Sequence, residues 1–259
     1  VRIRAIASAA AIACACALAA CAPAGPQIAA PGGSAPAATS ADPLVSLPVE
    51  PSLLIFGDSW TWGRAATDPE TLGYAARVGD QLGWPTAVDG ERASGYLRSG
   101  FEGGTYISRI RALDHDAAPD LVVIQGSIND RREDLSLLRA AAEDAWDALA
   151  AAYPDASLVV FGPAPQVLPI EPATRMIDEI LRRAAADRGV PYVSPIAEEW
   201  ITTANYDTLI DTSPEGNDHP SDAGHAYLAD RLVAALGAVA VREESVVALE
   251  ETPAPAELG

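Results

Sequence analysis

Cysteine is almost missing from this chain: its 259 residues hold Cys14, Cys16 and Cys21 and none after that. A disulfide framework or a thiolate metal site is therefore excluded for everything beyond residue 21. Histidine is scarce as well, three in all, and two of them, His219 and His225, fall in one short stretch. Positive charge is also short: 17 basic residues face 36 acidic ones, a formal net charge of −19 at pH 7. That balance argues against nucleic acid and against peripheral binding to anionic lipid. The uncharged run from Ala5 to Ala20 falls below the roughly 20 apolar residues that a membrane-spanning helix needs. No Gly-x-Ser-x-Gly elbow occurs, which removes one common form of serine catalysis, and no repeat of the solenoid kind is present.

What is there begins with Val1-Arg2-Ile3-Arg4, two positive charges ahead of that uncharged run, the pattern of a secretory signal. The run closes in Leu18-Ala19-Ala20-Cys21, which resembles the lipobox of bacterial lipoproteins. The resemblance implies a signal peptide over residues 1–20 and lipid on Cys21, anchoring the protein to the outer face of the bacterial membrane. Stable anchoring takes two or more acyl chains. An ordinary A-x-A cleavage nearby would instead leave a freely secreted protein. Residues 21–50 are rich in Pro, Ala, Gly and Ser, with too few large apolar residues to fold; they read as a tether able to reach ~90 Å. Residues 241–259 read as an acidic flexible tail. One domain remains, residues 51–240, long enough to bury a sizeable core. With no dimerisation motif, it reads as a monomer.

Five apolar runs alternate with five longer amphipathic segments, the pattern of a parallel sheet covered by helices on both faces. The expected fold is α/β, a three-layer α/β/α sandwich of flavodoxin-like type around a five-stranded parallel sheet. Strands are expected at 52–57, 86–89, 120–125, 157–161 and 191–194, and helices at 69–82, 106–114, 135–153, 172–188 and 221–239. In the third helix Leu138, Ala142, Trp146 and Leu149 form one apolar stripe, which makes that tryptophan a core residue.

Ligands of such sheets bind beyond the C-terminal strand ends, so the residues there carry the search. The first strand runs Leu53-Leu54-Ile55-Phe56 into Gly57-Asp58-Ser59, which delivers a hydroxyl to that crevice. The second is followed by Arg92-Ala93-Ser94-Gly95-Tyr96, a loop whose glycine lets backbone approach a ligand closely. The third leads into Gly126-Ser127-Ile128-Asn129-Asp130, a turn or a set of donors. Before the last helix stands Asn217-Asp218-His219-Pro220-Ser221-Asp222-Ala223-Gly224-His225.

Ser59, Gly95, Asn129 and His219, one at each of four blocks and in this order, together resemble the SGNH hydrolases, or GDSL esterase/lipase family. The resemblance spans about residues 53–236. It implies a serine esterase acting through an acyl-enzyme without metal or organic cofactor. Ser59 would be the nucleophile and His219 its base, with the oxyanion held by the backbone N–H of Ser59, the backbone N–H of Gly95 and the side-chain amide of Asn129. The residue types suit the chemistry: a serine hydroxyl is a poor nucleophile until a base takes its proton, and histidine titrates near neutrality.

Two departures stand out. The family's glycine two residues before the asparagine is Ser127 here. The triad acid, three residues before the histidine, is replaced by Gly216. Asp218, Glu215 and Asp211 are the acids near enough to orient His219, and the Gly216 carbonyl is the alternative that would make a Ser–His dyad. His225 reads as a surface or packing residue, since Asp218, His219, Asp222 and His225 match no zinc spacing. Trp60 and Trp62 would line a subsite or pack beneath the turn; Arg131-Arg132 would attract an anionic substrate group or simply start a helix. An envelope address suggests O-acetylated glycans or small lipid esters as substrates. Acyl transfer from the same serine, or an inactive binding lipoprotein, are the other readings.

Overall fold

The computed structural model describes residues 44–114 and 116–242. The expected signal peptide, Cys21 and most of the tether and tail lie outside the described residues. The strands are β1 (Val45–Leu47), β2 (Leu53–Gly57), β3 (Thr86–Gly90), β4 (Leu121–Gln125), β5 (Ser157–Phe161), β6 (Tyr192–Val193), β7 (Ile210–Asp211), β8 (His219–Pro220) and β9 (Ala240–Arg242). The helices are α1 (Pro69–Leu72), α2 (Tyr74–Leu82), α3 (Tyr106–Ile110), α4 (Leu138–Ala152), α5 (Pro172–Asp187), α6 (Tyr206–Leu209) and α7 (Asp222–Val239).

β2 and β4 are buried at every residue, as strands covered on both faces must be. They stand side by side in a parallel sheet ordered β3-β2-β4-β5-β6. This is the flavodoxin-like order, whose topological switch falls between β2 and β4. The two strands that carry the Gly-Asp-Ser and Asn-Asp blocks therefore open onto the crevice where such sheets bind ligands.

Because side chains alternate along a strand, each run feeds two cores. Leu53, Ile55, Leu121, Val123, Val159 and Phe161 meet Tyr74 and Val78 of α2 and Leu228, Leu232 and Leu236 of α7 on one face. Leu54, Phe56, Val122, Ile124 and Val160 meet Ile110 of α3, Trp146 and Leu149 of α4, and Ile177 and Leu181 of α5 on the other. The three-layer sandwich follows from that alternation. Leu138, Ala142, Trp146 and Leu149 are all buried, as their spacing requires.

The differences lie at element ends and in short pairings. The expected helix over 69–82 breaks at Gly73, whose ψ of 144° leaves the helical region while its N–H still caps the Pro69 carbonyl. The 106–114 segment keeps helical geometry only to Ile110. The ordered body is also wider than the expected 51–240. Val45–Leu47, assigned to the tether, and residues 241–242, assigned to the tail, pair as β1 and β9 in parallel register. Leu47 is 1% exposed in the core, which explains why so short a strand is held. A second two-stranded sheet, β7 with β8, aligns Asp211 with His219.

Candidate active site

Ser59 sits just past the end of β2. Asp58 starts the turn: its Oδ1 accepts the Trp60 N–H at 2.9 Å, and the Asp58 and Ser59 carbonyls accept the N–H groups of Trp62 and Arg64. Asp58 is wholly buried. Burial, the largest influence, pushes its carboxyl up to about 7 against the opposing Trp60 N–H and the Arg109 charge. The Ser59 N–H has no partner among the described residues.

Ser59 Oγ lies 2.8 Å from His219 Nε2, within reach for proton transfer. His219 Nδ1 meets two oxygens, the Asn217 carbonyl at 2.7 Å and the Gly216 carbonyl at 3.1 Å. Carbonyls only accept, so Nδ1 carries the proton and Nε2 is left to accept the serine hydroxyl. Burial is the main cause holding the ring below the ordinary histidine range; the two carbonyls oppose it, Arg64 adds to it, and Asp218 opposes it at longer range. The ring is therefore a neutral base near neutrality.

This corrects the expectation of an acid from Asp218 or Glu215: neither carboxylate bonds to His219. The cause is backbone shape. Asn217 and Asp218 take φ of 52° and 58°, a left-handed pair that Asn and Asp tolerate best among residues with a side chain. Carbonyls 216 and 217 thereby stand where a carboxylate would. Asp218 contributes its backbone tolerance, and Glu215 only its carbonyl, which accepts Arg64 Nη2 at 2.6 Å. Asp211 packs where a side chain on Gly216 would begin, but its Oδ1 accepts the Ser213 N–H at 2.9 Å rather than the imidazole.

The glycine block also needs correction. The Gly95 N–H donates to the Arg98 carbonyl at 2.8 Å, and its own carbonyl accepts from Tyr106, so Gly95 offers no free donor. Its lack of a side chain has another use. A Cβ there would collide with the Asp130 carboxylate and lie 2.7 Å from Ser127 Oγ. Buried Asp130 needs that space because it accepts the N–H groups of Tyr96, Leu97 and Arg98 at 2.9, 3.0 and 3.0 Å. Ala93, two residues earlier, lines the cleft with Ser59, Asn129 and His219. Its φ is 64°, and its N–H has no partner among the described residues. No sequence signal marks an alanine as left-handed, so Ala93 is found only in the fold.

Asn129 donates one Nδ2 hydrogen to the Ser94 carbonyl at 2.9 Å, leaving the other available, and its own N–H is held by Ser127 Oγ at 3.0 Å. Ser127, the departure from the family's glycine, thus caps this turn and also donates to Ser94 O at 3.1 Å. Behind the loop, Arg109 donates to Gly57 O at 2.8 Å and to Asp89, and pairs with Glu91 at 3.3 Å.

The cleft measures about 290 Å³ and is lined by Ser59, Arg64, Arg92, Ala93, Phe101, Ile128, Asn129, Arg131, Gln166, Asn217 and His219. Trp60 is 2% exposed and packs in the core, whereas Trp62 is 38% exposed. His225 is fully buried: Nδ1 accepts the Tyr74 N–H at 3.2 Å and Nε2 donates to Arg64 O at 3.0 Å. It holds the turn after Ser59 from behind. Among the described residues, no group of three or more His, Cys, Asp or Glu is placed to hold a metal.

A neutral histidine bonded to a serine, with unused N–H donors beside it at the switch point of a doubly wound sheet, defines a serine hydrolase of the Ser–His type. Comparison with known proteins agrees. Residues 55–227 match the GDSL-like Lipase/Acylhydrolase family, and the chain belongs to it. It is 34% identical over 194 residues to a Mycobacterium tuberculosis protein named GDSL lipase Rv0518, covering 69% of this chain and 78% of that one. Among solved structures, a Clostridium thermocellum family two carbohydrate esterase in complex with cellohexaose is similar with a TM-score of 0.58 at 19% identity, covering 72% of this chain and 63% of that one. An M. smegmatis aryl esterase is similar with a TM-score of 0.56 at 17% identity, covering 73% and 99%. These two likenesses concern the fold.

Proposed function

We propose that this hydrolase cleaves carboxylic esters of small acyl groups through an acyl-enzyme on Ser59. The observation that carries the reading is the 2.8 Å contact between Ser59 Oγ and an Nε2 kept unprotonated by its two carbonyl partners. In this reading Ser59 Oγ attacks the ester carbonyl as its proton passes to Nε2, and the Gly216 and Asn217 carbonyls stabilise the cationic ring through Nδ1–H. The oxyanion is received by the Ser59 N–H, the Ala93 N–H and the second Nδ2 hydrogen of Asn129. His219 then protonates the leaving alcohol, and water repeats the sequence on the acyl-enzyme. The small cleft favours acetyl-sized groups over long chains, in keeping with O-acetylated glycans as substrates.

The test is turnover of p-nitrophenyl acetate, butyrate and a long-chain ester by the full chain, beside Ser59→Ala. Hydrolysis that favours acetate and vanishes in the variant supports the reading; a folded protein that turns over none of them overturns it. The proposed address, a lipid anchor on Cys21 at the outer face of the membrane, is read from residues 1–21 alone. Cys21→Ser should move the protein from the membrane fraction to the soluble one, and an unchanged distribution would remove that address.

A further inference from the structure

The cleft is basic in an acidic protein. The chain's 17 basic residues are all arginine, against 36 acids, yet the cleft lining includes Arg64, Arg92 and Arg131 and no Asp or Glu. The three come from separate segments: the turn after β2, the loop after β3 and the turn after β4. Elsewhere Arg109, Arg139, Arg182, Arg183, Arg188 and Arg231 pair with carboxylates, while Arg77, Arg98, Arg111, Arg132 and Arg175 form no ion pair among the described residues. Arg92 pairs with none among the described residues. Its guanidinium lies 4.9 Å from the Trp62 ring centroid and 5.6 Å from that of Phe101, two rings that are 38% and 73% exposed.

Stacking on two aromatic faces holds a guanidinium in place while leaving its N–H fork free, the arrangement that suits planar recognition of a carboxylate or phosphate. Arg64 donates to a main-chain oxygen, that of Glu215, which satisfies a hydrogen bond without cancelling the charge. Arg131 is partly offset by Glu171 at 3.1 Å, a half-exposed acid. Of the acids close by, Asp130 is buried and engaged with three N–H groups.

We propose that the site selects esters bearing a carboxylate or phosphate close to the scissile bond, with Arg92 as the principal contact and Arg64 and Arg131 beside it. This rests on the ester-hydrolase reading above. The acidic remainder of the protein repels anions at a distance, so the selectivity acts at contact and weakens in salt.

The experiment compares matched esters on the full chain. 4-Nitrophenyl hydrogen succinate against 4-nitrophenyl pentanoate places the charge on the acyl side. 4-Acetoxybenzoate and 4-acetoxyphenyl phosphate, each against 4-acetoxybenzamide, place it on the alcohol side and separate carboxylate from phosphate. The expected result is kcat/KM at least about tenfold higher for an anionic member in one of these comparisons, shrinking as salt rises to about 0.5 M. In Arg92→Gln the ratio should fall below about threefold, with Arg131→Gln reducing it less. Equal or lower rates for every anionic ester overturn the proposal, as does a preference that survives both variants. Failure of p-nitrophenyl acetate itself is a different result: it removes the ester reading on which the proposal stands.

Discussion

Two loops hold the two halves of this site, and they do so by different means. The loop after β3, which carries Ala93, is pinned by buried charge: Asp130 takes three of its N–H groups, and Arg109 ties its base to β2 and Glu91. The segment that ends in β8 and carries His219 is held by main chain. Its left-handed pair at 217 and 218, its pairing with β7 and two carbonyls on Nδ1 do the work. The difference teaches that the proposed oxyanion donor and the proposed base need different support. A backbone N–H must be fixed through its loop, whereas an imidazole needs only one proton held on the correct nitrogen.

The comparison can be broken from either side. The largest effect is expected at the base: His219→Ala should lower kcat/KM by about 10⁴-fold or more, measured on p-nitrophenyl acetate. A loss below tenfold would mean that the 2.8 Å contact is not the catalytic one. Next comes Asp130→Ala, which leaves three loop N–H groups without their acceptor. It should lower unfolding stability by about 2–4 kcal/mol and activity by about 10²-fold, read by urea denaturation and kinetics. An active, fully stable variant would show that the loop is held otherwise.

On the other side, Asp218→Asn, Glu215→Gln and Asp211→Asn should each cost less than about tenfold, because a carbonyl-held histidine depends on no carboxylate. A loss of about 10³-fold or more in any of them would restore a triad acid. The smallest effect is a shift in the acid limb of kcat/KM. Burial lowers the His219 pKa from 6.5, so the ring stays neutral, and the base competent, to a lower pH. The limb should fall below pH 6.5, and a limb above that value would contradict the buried, neutral ring.

Ser59 and Asn129 were legible in the sequence because each follows an apolar run whose pattern places it at the sheet edge, and His219 because its block completes the set that resembles the family. The donor of the glycine block was not. Gly95 carries the visible signal, but the collision that requires a glycine there is with Asp130, 35 residues further on, and the free N–H belongs to Ala93. The acid was misread for a related reason. Spacing along the chain says which carboxylates are near His219, and the left-handed turn at 217 and 218 decides that none is used. The pairing of β1 with β9 was hidden in a Pro-rich context, where three residues show no periodicity of their own.

The sequence by itself determined the doubly wound sheet and the family and singled out Ser59 and His219, because local hydrophobic periodicity and short blocks act within a few residues. Only the tertiary structure decided which backbone donors remain free, what orients His219 and how three arginines from separate segments come to share one cleft. Those outcomes depend on contacts between residues far apart in the chain, and each is settled by which hydrogen-bonding group or charge is already engaged when the segments meet.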